Sequence, residues 1–136
     1  MLTNDLSVVA IKKENMHYKN FFMTDTKASI IKSISLLRNI KNTALKLAKK
    51  KSFGIFGTSI AGTWLFNELQ SQVEFFVDED PNRIGLNYLD RPVYHPKDIP
   101  LNSSVFVAVY PRLALTISRR MKNTYSHFKI YTGCEF

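Results

Sequence analysis

Residues 52–71 join an apolar run, a glycine-bounded loop and an amphipathic stretch. The run Ser52–Gly57 is short and apolar and ends in glycine, which predicts a buried strand. Apolar residues recur from about Ala61 to Ser71, which predicts a helix. A strand that passes through a tight glycine loop into a helix is typical of folds in which strands and helices alternate.

The rest of the chain continues this alternation. Further strands are predicted at 73–78, 92–94, 104–110 and 128–131, and a further helix at 112–122. The strand segments are nearly continuous apolar runs, as in strands covered on both faces of a parallel sheet. We therefore predict an α/β fold with a Rossmann-like parallel sheet of about four to five strands flanked by helices.

The amino-terminal part has a different pattern. A short strand is predicted at 6–11, and an aromatic cluster of Tyr18, Phe21 and Phe22 follows it. A long amphipathic helix is predicted over 24–51, with Thr24, Asp25 or Thr26 as its cap. Its apolar residues recur at steps of three and four: Ile30, Ile34, Leu37, Ile40, Ala44 and Leu47.

This apolar stripe predicts that residues 1–51 form an extension packed on a core of residues 52–136, in one compact domain overall. The same apolar face is an alternative contact for a homodimer. A basic amphipathic helix also suits a membrane surface or a calmodulin-like groove, which leaves a docking role open.

The positive charge is confined to the amino-terminal third. The net charge is +8, and residues 1–51 hold 11 Lys and Arg against 3 Asp and Glu, while residues 52–136 hold 8 of each. Two interpretations stand: a solvated helix face, or a patch for an anionic partner. Nucleic acid is not the expected partner, because the remainder shows no alternation of basic and aromatic residues.

Composition excludes several classes of protein. No apolar stretch approaches the ~20 residues that cross a bilayer, and the first residues lack the features of a secretory signal, so we expect a cytoplasmic protein without a membrane span. The single cysteine, Cys134, cannot form an internal disulfide or a zinc site alone. The three histidines have no metal-ligand spacing, so no metal site is predicted.

The loop from Gly57 to Gly62 resembles part of a dinucleotide fingerprint, which has glycines at its first, third and sixth positions. Ser59 occupies the middle position, where a side chain hinders close approach of a phosphate but offers a hydroxyl. Asp78 follows Gly57 by 21 residues, where an acid would bind ribose hydroxyls. The candidate ligand-binding residues are Gly57, Thr58, Ser59, Ile60, Gly62, Asp78 and Asp80.

Two interpretations of this loop remain open. It binds a nucleotide, or its glycines only permit a tight connection and the acids form a solvated turn. No catalytic constellation is evident: the loop has no Lys-Ser or Lys-Thr pair of a P-loop and no hydrolase triad around Ser59. A pocket near the loop would draw on Tyr94, His95 or Tyr110, the groups from which an acid or base could come.

The chain resembles a known family in several segments. The run from Phe53 to Leu65, the segment Phe76–Gly85, the Arg91–Pro96 stretch and the strand Val105–Ala108 are similar to the carboxy-terminal domain of C-methyltransferases that act on nucleotide-linked deoxysugars. The likeness spans roughly residues 14–133. The segments around Asp78 and Pro92 also resemble the nucleotide-sugar-binding domain of sugar acyltransferases.

The resemblance implies a Rossmann-like domain that holds a nucleotide-sugar, with Gly57, Thr58, Ser59 and Gly62 facing the phosphates and Asp78 beside the base or ribose. In that family the catalytic residues and the S-adenosylmethionine loop belong to a preceding domain, which this sequence lacks. We therefore expect a binding module, part of or partner to a methyltransferase and not catalytic alone. The alternatives are a small NAD(P)-dependent or sugar-modifying enzyme, and a scaffold that docks through the basic helix.

Overall fold

The computed structural model describes residues 16–49 and 52–133, with side chains from residue 25 onward. The strand predicted at 6–11, the side chains of Tyr18, Phe21 and Phe22, and Cys134 lie outside the described part. The chain divides into two units, Met1–Ser35 and Leu36–Phe136.

The described part of the first unit is helical and belongs to helix α1, which spans Met16–Ala48. The predicted start at residue 24 is wrong, and Thr24, Asp25 and Thr26 lie inside the helix rather than at its cap. The reason is local, because the segment between Met16 and Thr24 contains no glycine or proline to stop a helix. Every residue from Asp25 to Ser35 is exposed.

The second unit begins with the remainder of α1 and alternates strands with helices. Its elements in chain order are β1 (Phe53–Phe56), α2 (Ile60–Leu69), a 3-10 turn (Gln70–Gln72), β2 (Phe75–Val77), β3 (Asn87–Tyr88), β4 (Arg91–Tyr94), a 3-10 turn (Pro96–Asp98), β5 (Ser104–Val107), α3 (Pro111–Thr124) and β6 (Lys129–Thr132).

These strands form one sheet in the order β3-β4-β2-β1-β5-β6. All neighbouring pairs are parallel except β3 and β4, which are antiparallel. The α/β class, the mostly parallel sheet and the long amino-terminal helix are confirmed. The predicted number of strands is wrong, since the described sheet has six strands and not four to five.

The strand missing from the prediction is β3, which is two residues long. It pairs with β4 through a tight hairpin in which Leu89 and Asp90 both adopt positive φ angles, 49° and 58°. Two successive left-handed residues match the right-handed twist of a hairpin, a position usually filled by Asn-Gly or Asp-Gly. Because neither β3 nor its turn carries the usual signal, sequence patterns do not identify it.

Both faces of the sheet are apolar, and the alternation of the strands assigns each side chain to a face. In β5, Phe106 belongs to the core cluster that includes Leu65 of α2 and Ala44 of α1, while Val105 and Val107 belong to the cluster with α3. The sheet is therefore a middle layer, with α3 on one face and α2 and the end of α1 on the other.

The part of α1 inside this unit packs on the sheet from Ile40 onward. Ala44 is fully buried, Ile40 and Leu47 are partly buried, and Lys41 pairs with Glu68 of α2. Leu37, one turn earlier, is 44% exposed.

Candidate functional site

The site lies where the order of the parallel strands reverses, between β1 and β5. Chain connections leave these two strands toward opposite sides of the sheet, which opens a crevice at their carboxyl ends. The β1–α2 loop and the β5–α3 loop meet there: a Cβ added to Gly57 would lie 3.3 Å from Cγ1 of Val109 and 3.8 Å from the carbonyl oxygen of Ala108.

Two glycines give the β1–α2 loop its shape. Gly57 has a φ of 99°, and its N–H donates to the carbonyl of Val77 at 2.8 Å. Gly62 lies under the loop, where an added Cβ would come within 2.0 Å of the Gly57 carbonyl oxygen. Glycine is therefore required at Gly57 for the turn and at Gly62 for the close approach of α2 to the end of β1.

The loop delivers the chain into the amino terminus of α2. Ser59 is the N-cap residue, in an extended conformation, and its side chain makes no capping hydrogen bond. Its carbonyl accepts the backbone N–H of Thr63 at 2.8 Å. The first N–H groups of a helix have no intrahelical acceptor and carry a partial positive charge. Ile60, in this first turn, is 87% exposed.

Asp78 binds the loop from the end of β2. Its Oδ2 accepts the backbone N–H of Thr58 at 3.1 Å and the Thr58 hydroxyl at 2.6 Å, and it pairs with Nη1 of Arg83 at 3.3 Å. Its Oδ1 accepts the backbone N–H groups of Glu79 and Asp80. The Asp78 carboxylate thus accepts five hydrogen bonds, two of them from Thr58 of the loop.

These contacts determine the charge state of Asp78. Burial raises the pKa of its carboxyl, but the hydrogen bonds from the Thr58 hydroxyl, from the backbone of Asp80 and Thr58 and from Arg83 outweigh burial, so that the pKa lies below its ordinary value. The side chain is 14% exposed, and the carboxylate is ionised at neutral pH.

Arg83 is a site residue that sequence reasoning missed. Its Nη1 donates to the Thr58 carbonyl at 3.3 Å and to the Thr58 hydroxyl, and its Nε pairs with Asp80 at 3.5 Å. No described residue accepts a hydrogen bond from its Nη2, and the side chain is 49% exposed. The only available signal was a lone arginine in the acidic turn that follows Asp78.

Asp80 organises that turn. Its Oδ1 accepts the backbone N–H of Asn82 at 2.9 Å and the Asn82 amide at 3.0 Å. Together with the ion pair to Arg83, these contacts hold Arg83 against the loop.

An open groove of about 900 Å³ lies along the loop and the first turns of α2. Thr58, Ser59 and Ile60 line it on the loop side, with Tyr88 and Tyr110 from other segments. A smaller pocket of about 200 Å³ shares Thr58 and Tyr88 and adds Arg83 and Asn87. Thr58 and Tyr88 thus form a wall common to the two spaces.

Of the three predicted pocket residues, only Tyr110 lines the groove, and it is 73% exposed. The Tyr94 ring packs on Phe75 with the ring centroids 5.5 Å apart. Nδ1 of His95 accepts the backbone N–H of Lys97 at 3.1 Å and caps the 3-10 turn. Tyr94 and His95 are therefore engaged in local structure.

No cluster of three or more His, Cys, Asp or Glu side chains in the described part of the chain is placed to hold a metal ion. Within the same residues, no helix combines the length and the apolar character needed to cross a bilayer. No protein-family model, curated protein or solved structure matches the chain. The resemblance to sugar C-methyltransferases stays a prediction.

Proposed function

We propose that this chain is a module with a Rossmann-like core that binds a nucleotide or a nucleotide-sugar and has no complete catalytic apparatus of its own. One observation carries the proposal: Thr58 and Ser59 of the loop and Ile60 of the first turn of α2 line the groove at the reversal of strand order. The parallel order β4-β2-β1-β5-β6 corresponds to the order of dinucleotide-binding folds.

The phosphates lie against the loop formed by Gly57, Thr58, Ser59, Ile60 and Gly62. The partial positive charge of the α2 amino terminus attracts them, and its first N–H groups are available as donors. The Ser59 hydroxyl, which makes no capping bond, adds a further donor. A groove of about 900 Å³ is large enough for a nucleotide with an attached group.

The base or ribose lies toward the end of β2, near Asp78 and Asp80. A ribose hydroxyl that reached Asp78 would compete with the five hydrogen bonds that the carboxylate already accepts. Arg83 and Asn87 line the adjacent pocket and supply polar groups that the ligand can use without disturbing the loop.

The remaining parts of the proposal follow from the resemblance. The chain acts in the cytoplasm together with a methyltransferase catalytic domain, on the same chain or on a partner. The alternative, an NAD(P)-dependent or sugar-modifying enzyme, would depend on Tyr110, the one predicted acid–base candidate that lines the groove. A product detected by mass spectrometry after incubation of the chain with these cofactors and nucleotide-sugars would favour the enzyme.

The proposal is tested by placing a negative charge at Ser59, the N-cap residue of α2. Ser59→Asp keeps a good capping residue and favours the helix dipole, so the fold is preserved, but its carboxylate repels phosphates. We expect it to weaken binding by tenfold or more in calorimetric titrations with UDP- and dTDP-sugars, NAD, NADP and S-adenosylmethionine. The matched control is Ser59→Asn, which caps equally well without charge and offers an amide donor in place of the hydroxyl, so it should lose far less affinity than Ser59→Asp.

Two results contradict the proposal: no saturable binding of any of these compounds to the wild-type chain, or equal affinity of wild type and Ser59→Asp for the compound that binds.

A second candidate, an interaction role for α1, is favoured by the apolar residues exposed in the first unit. Ile30, Ile31 and Ile34 are 53%, 54% and 44% exposed, beside basic residues such as Lys27 and Lys32. If this face mediates self-association, the double substitution of Ile30 and Ile34 by Gln shifts the sedimentation coefficient to that of a monomer. A coefficient unchanged by the substitutions argues against the role.

A further inference from the structure

An apolar cavity of about 190 Å³ lies where the carboxyl end of β5 meets α2, α3 and the second-unit part of α1. Leu37 and Ile40 line it from α1, Trp64 from α2, Phe106 from the sheet and Ala114 from α3. Its walls are almost entirely hydrocarbon. A water molecule inside would find few hydrogen-bond partners, and such cavities bind small apolar molecules instead.

Small residues keep this space open. Ala61, Ala108, Ala114 and Gly133 all line the cavity. At Gly133 an added Cβ would lie 2.4 Å from Cγ1 of Ile40, so any larger residue there would displace the wall. Of its lining residues, Leu37, Ala61 and Tyr110 are exposed, so the cavity opens to solvent and a ligand can enter it.

The cavity adjoins the groove. Ala61, Trp64, Val109 and Tyr110 line both spaces. A ligand whose phosphate lies at the Ser59 end of the groove can therefore reach the cavity with its other end without crossing a different part of the surface.

We propose that the cavity receives a compact hydrocarbon group, alkyl or aryl and of roughly six to eight carbons, at one end of the ligand bound in the groove. The inference rests on the proposed nucleotide-binding function for the polar end of that ligand. A nucleobase does not suit the cavity, because its polar edges would lose their hydrogen bonds with water and find no replacement there. The hydrocarbon therefore belongs to the group attached to the phosphate, and an unsubstituted sugar leaves the cavity empty.

The experiment titrates the full chain, labelled with ¹³C at its methyl groups, with toluene. We expect saturable shift changes at the methyl groups of Leu37, Ile40 and Ala114, which line the cavity. Ala114→Leu fills the cavity and weakens toluene binding by at least tenfold. Asn123→Leu, which adds a leucine at an exposed position of the same helix, leaves the affinity unchanged.

A second variant keeps the test decisive if Ala114→Leu fails to fold. Ile40→Ala enlarges the cavity. The affinity for butylbenzene relative to that for toluene should therefore be higher in this variant than in the wild type. An unchanged preference, or toluene shifts that do not saturate, overturns the proposal.

A parallel titration with UDP separates the two proposals. UDP binding without saturable toluene binding overturns the cavity proposal and leaves nucleotide binding intact. Toluene binding without binding of UDP or of any compound in the panel of nucleotide-sugars, NAD, NADP and S-adenosylmethionine contradicts the nucleotide function and, with it, the claim that one ligand occupies both spaces. A third result supports both proposals: a UDP derivative with an aryl-substituted sugar binds more tightly than UDP-glucose, and Ala114→Leu abolishes this difference.

Discussion

Gly62→Ala is expected to lower the free energy of unfolding by about 3 kcal/mol, although alanine is the better helix former. The added Cβ would lie 2.0 Å from the Gly57 carbonyl oxygen, which is backbone and cannot rotate away. Helix α2 must then move away from the end of β1, which loosens the packing of its buried Leu65 in the core cluster that contains Ile55. The loop moves with it, so we expect the proposed nucleotide affinity to fall as well.

Urea denaturation followed by the fluorescence of Trp64, the single tryptophan, measures this change. The matched control is Gly85→Ala, where φ is 82° but no atom lies within 4 Å of the added Cβ. Its free energy of unfolding should fall by only about 1 kcal/mol, because the substitution strains the backbone without a clash. If Gly62→Ala is no less stable than Gly85→Ala, the close approach of α2 to the loop is not present in solution.

The elements with strong local patterns could be predicted from sequence, and their order in the sheet could not. The predicted strands 52–57, 73–78 and 104–110 each contain a buried strand, β1, β2 and β5 respectively. The ends of these strands lie within a few residues of the predicted ends. The β3 hairpin could not be predicted, because the left-handed residues of its turn are Leu89 and Asp90 rather than glycine.

Helix α1 shows the limit of periodicity. The same three- and four-residue spacing includes Ala44, which is fully buried, and Ile30, which is 53% exposed. Spacing determines which residues share a face of a helix, but the surface that covers that face depends on the rest of the fold.

The candidate site could likewise be predicted only in part. The fingerprint pattern located Gly57, Ser59, Gly62 and Asp78, because turn geometry and strand ends leave local signals. It assigned Asp78 to a ligand, whereas the carboxylate contacts the loop itself. Tyr110, which lines the groove, was among the predicted pocket residues. Arg83 could not be predicted, because its approach to Thr58 depends on the packing of separate segments.

The contacts of Asp78 lead to the second large prediction. Asp78→Ala removes the acceptor of the Thr58 N–H and hydroxyl and one of the two carboxylates that pair with Arg83. Because charge-assisted hydrogen bonds to a largely buried carboxylate are lost together, we expect the free energy of unfolding at pH 7 to fall by about 2–3 kcal/mol. The released loop should also weaken the proposed phosphate binding.

The pH dependence identifies the carboxylate as the cause. The pKa of Asp78 in the folded chain lies below its ordinary value of 3.8, so the folded state favours the ionised form. Its stabilising contribution is complete above the unfolded pKa and is lost as the pH falls through the folded pKa. The difference in unfolding free energy between wild type and Asp78→Ala should therefore be constant from pH 7 to about 5 and narrow below about pH 4.

Asp98→Ala, which removes an exposed carboxylate from the Pro96–Asp98 turn, is the control for the general effect of acid. Its difference from wild type should change little over the same range. A wild-type advantage over Asp78→Ala that stayed constant down to pH 2.5 would mean that Asp78 stabilises the loop equally well when protonated. The ionic part of its contact with Thr58 and Arg83 would then be absent, and neutral hydrogen bonds of Asp78 would account for its whole contribution to the stability of the loop.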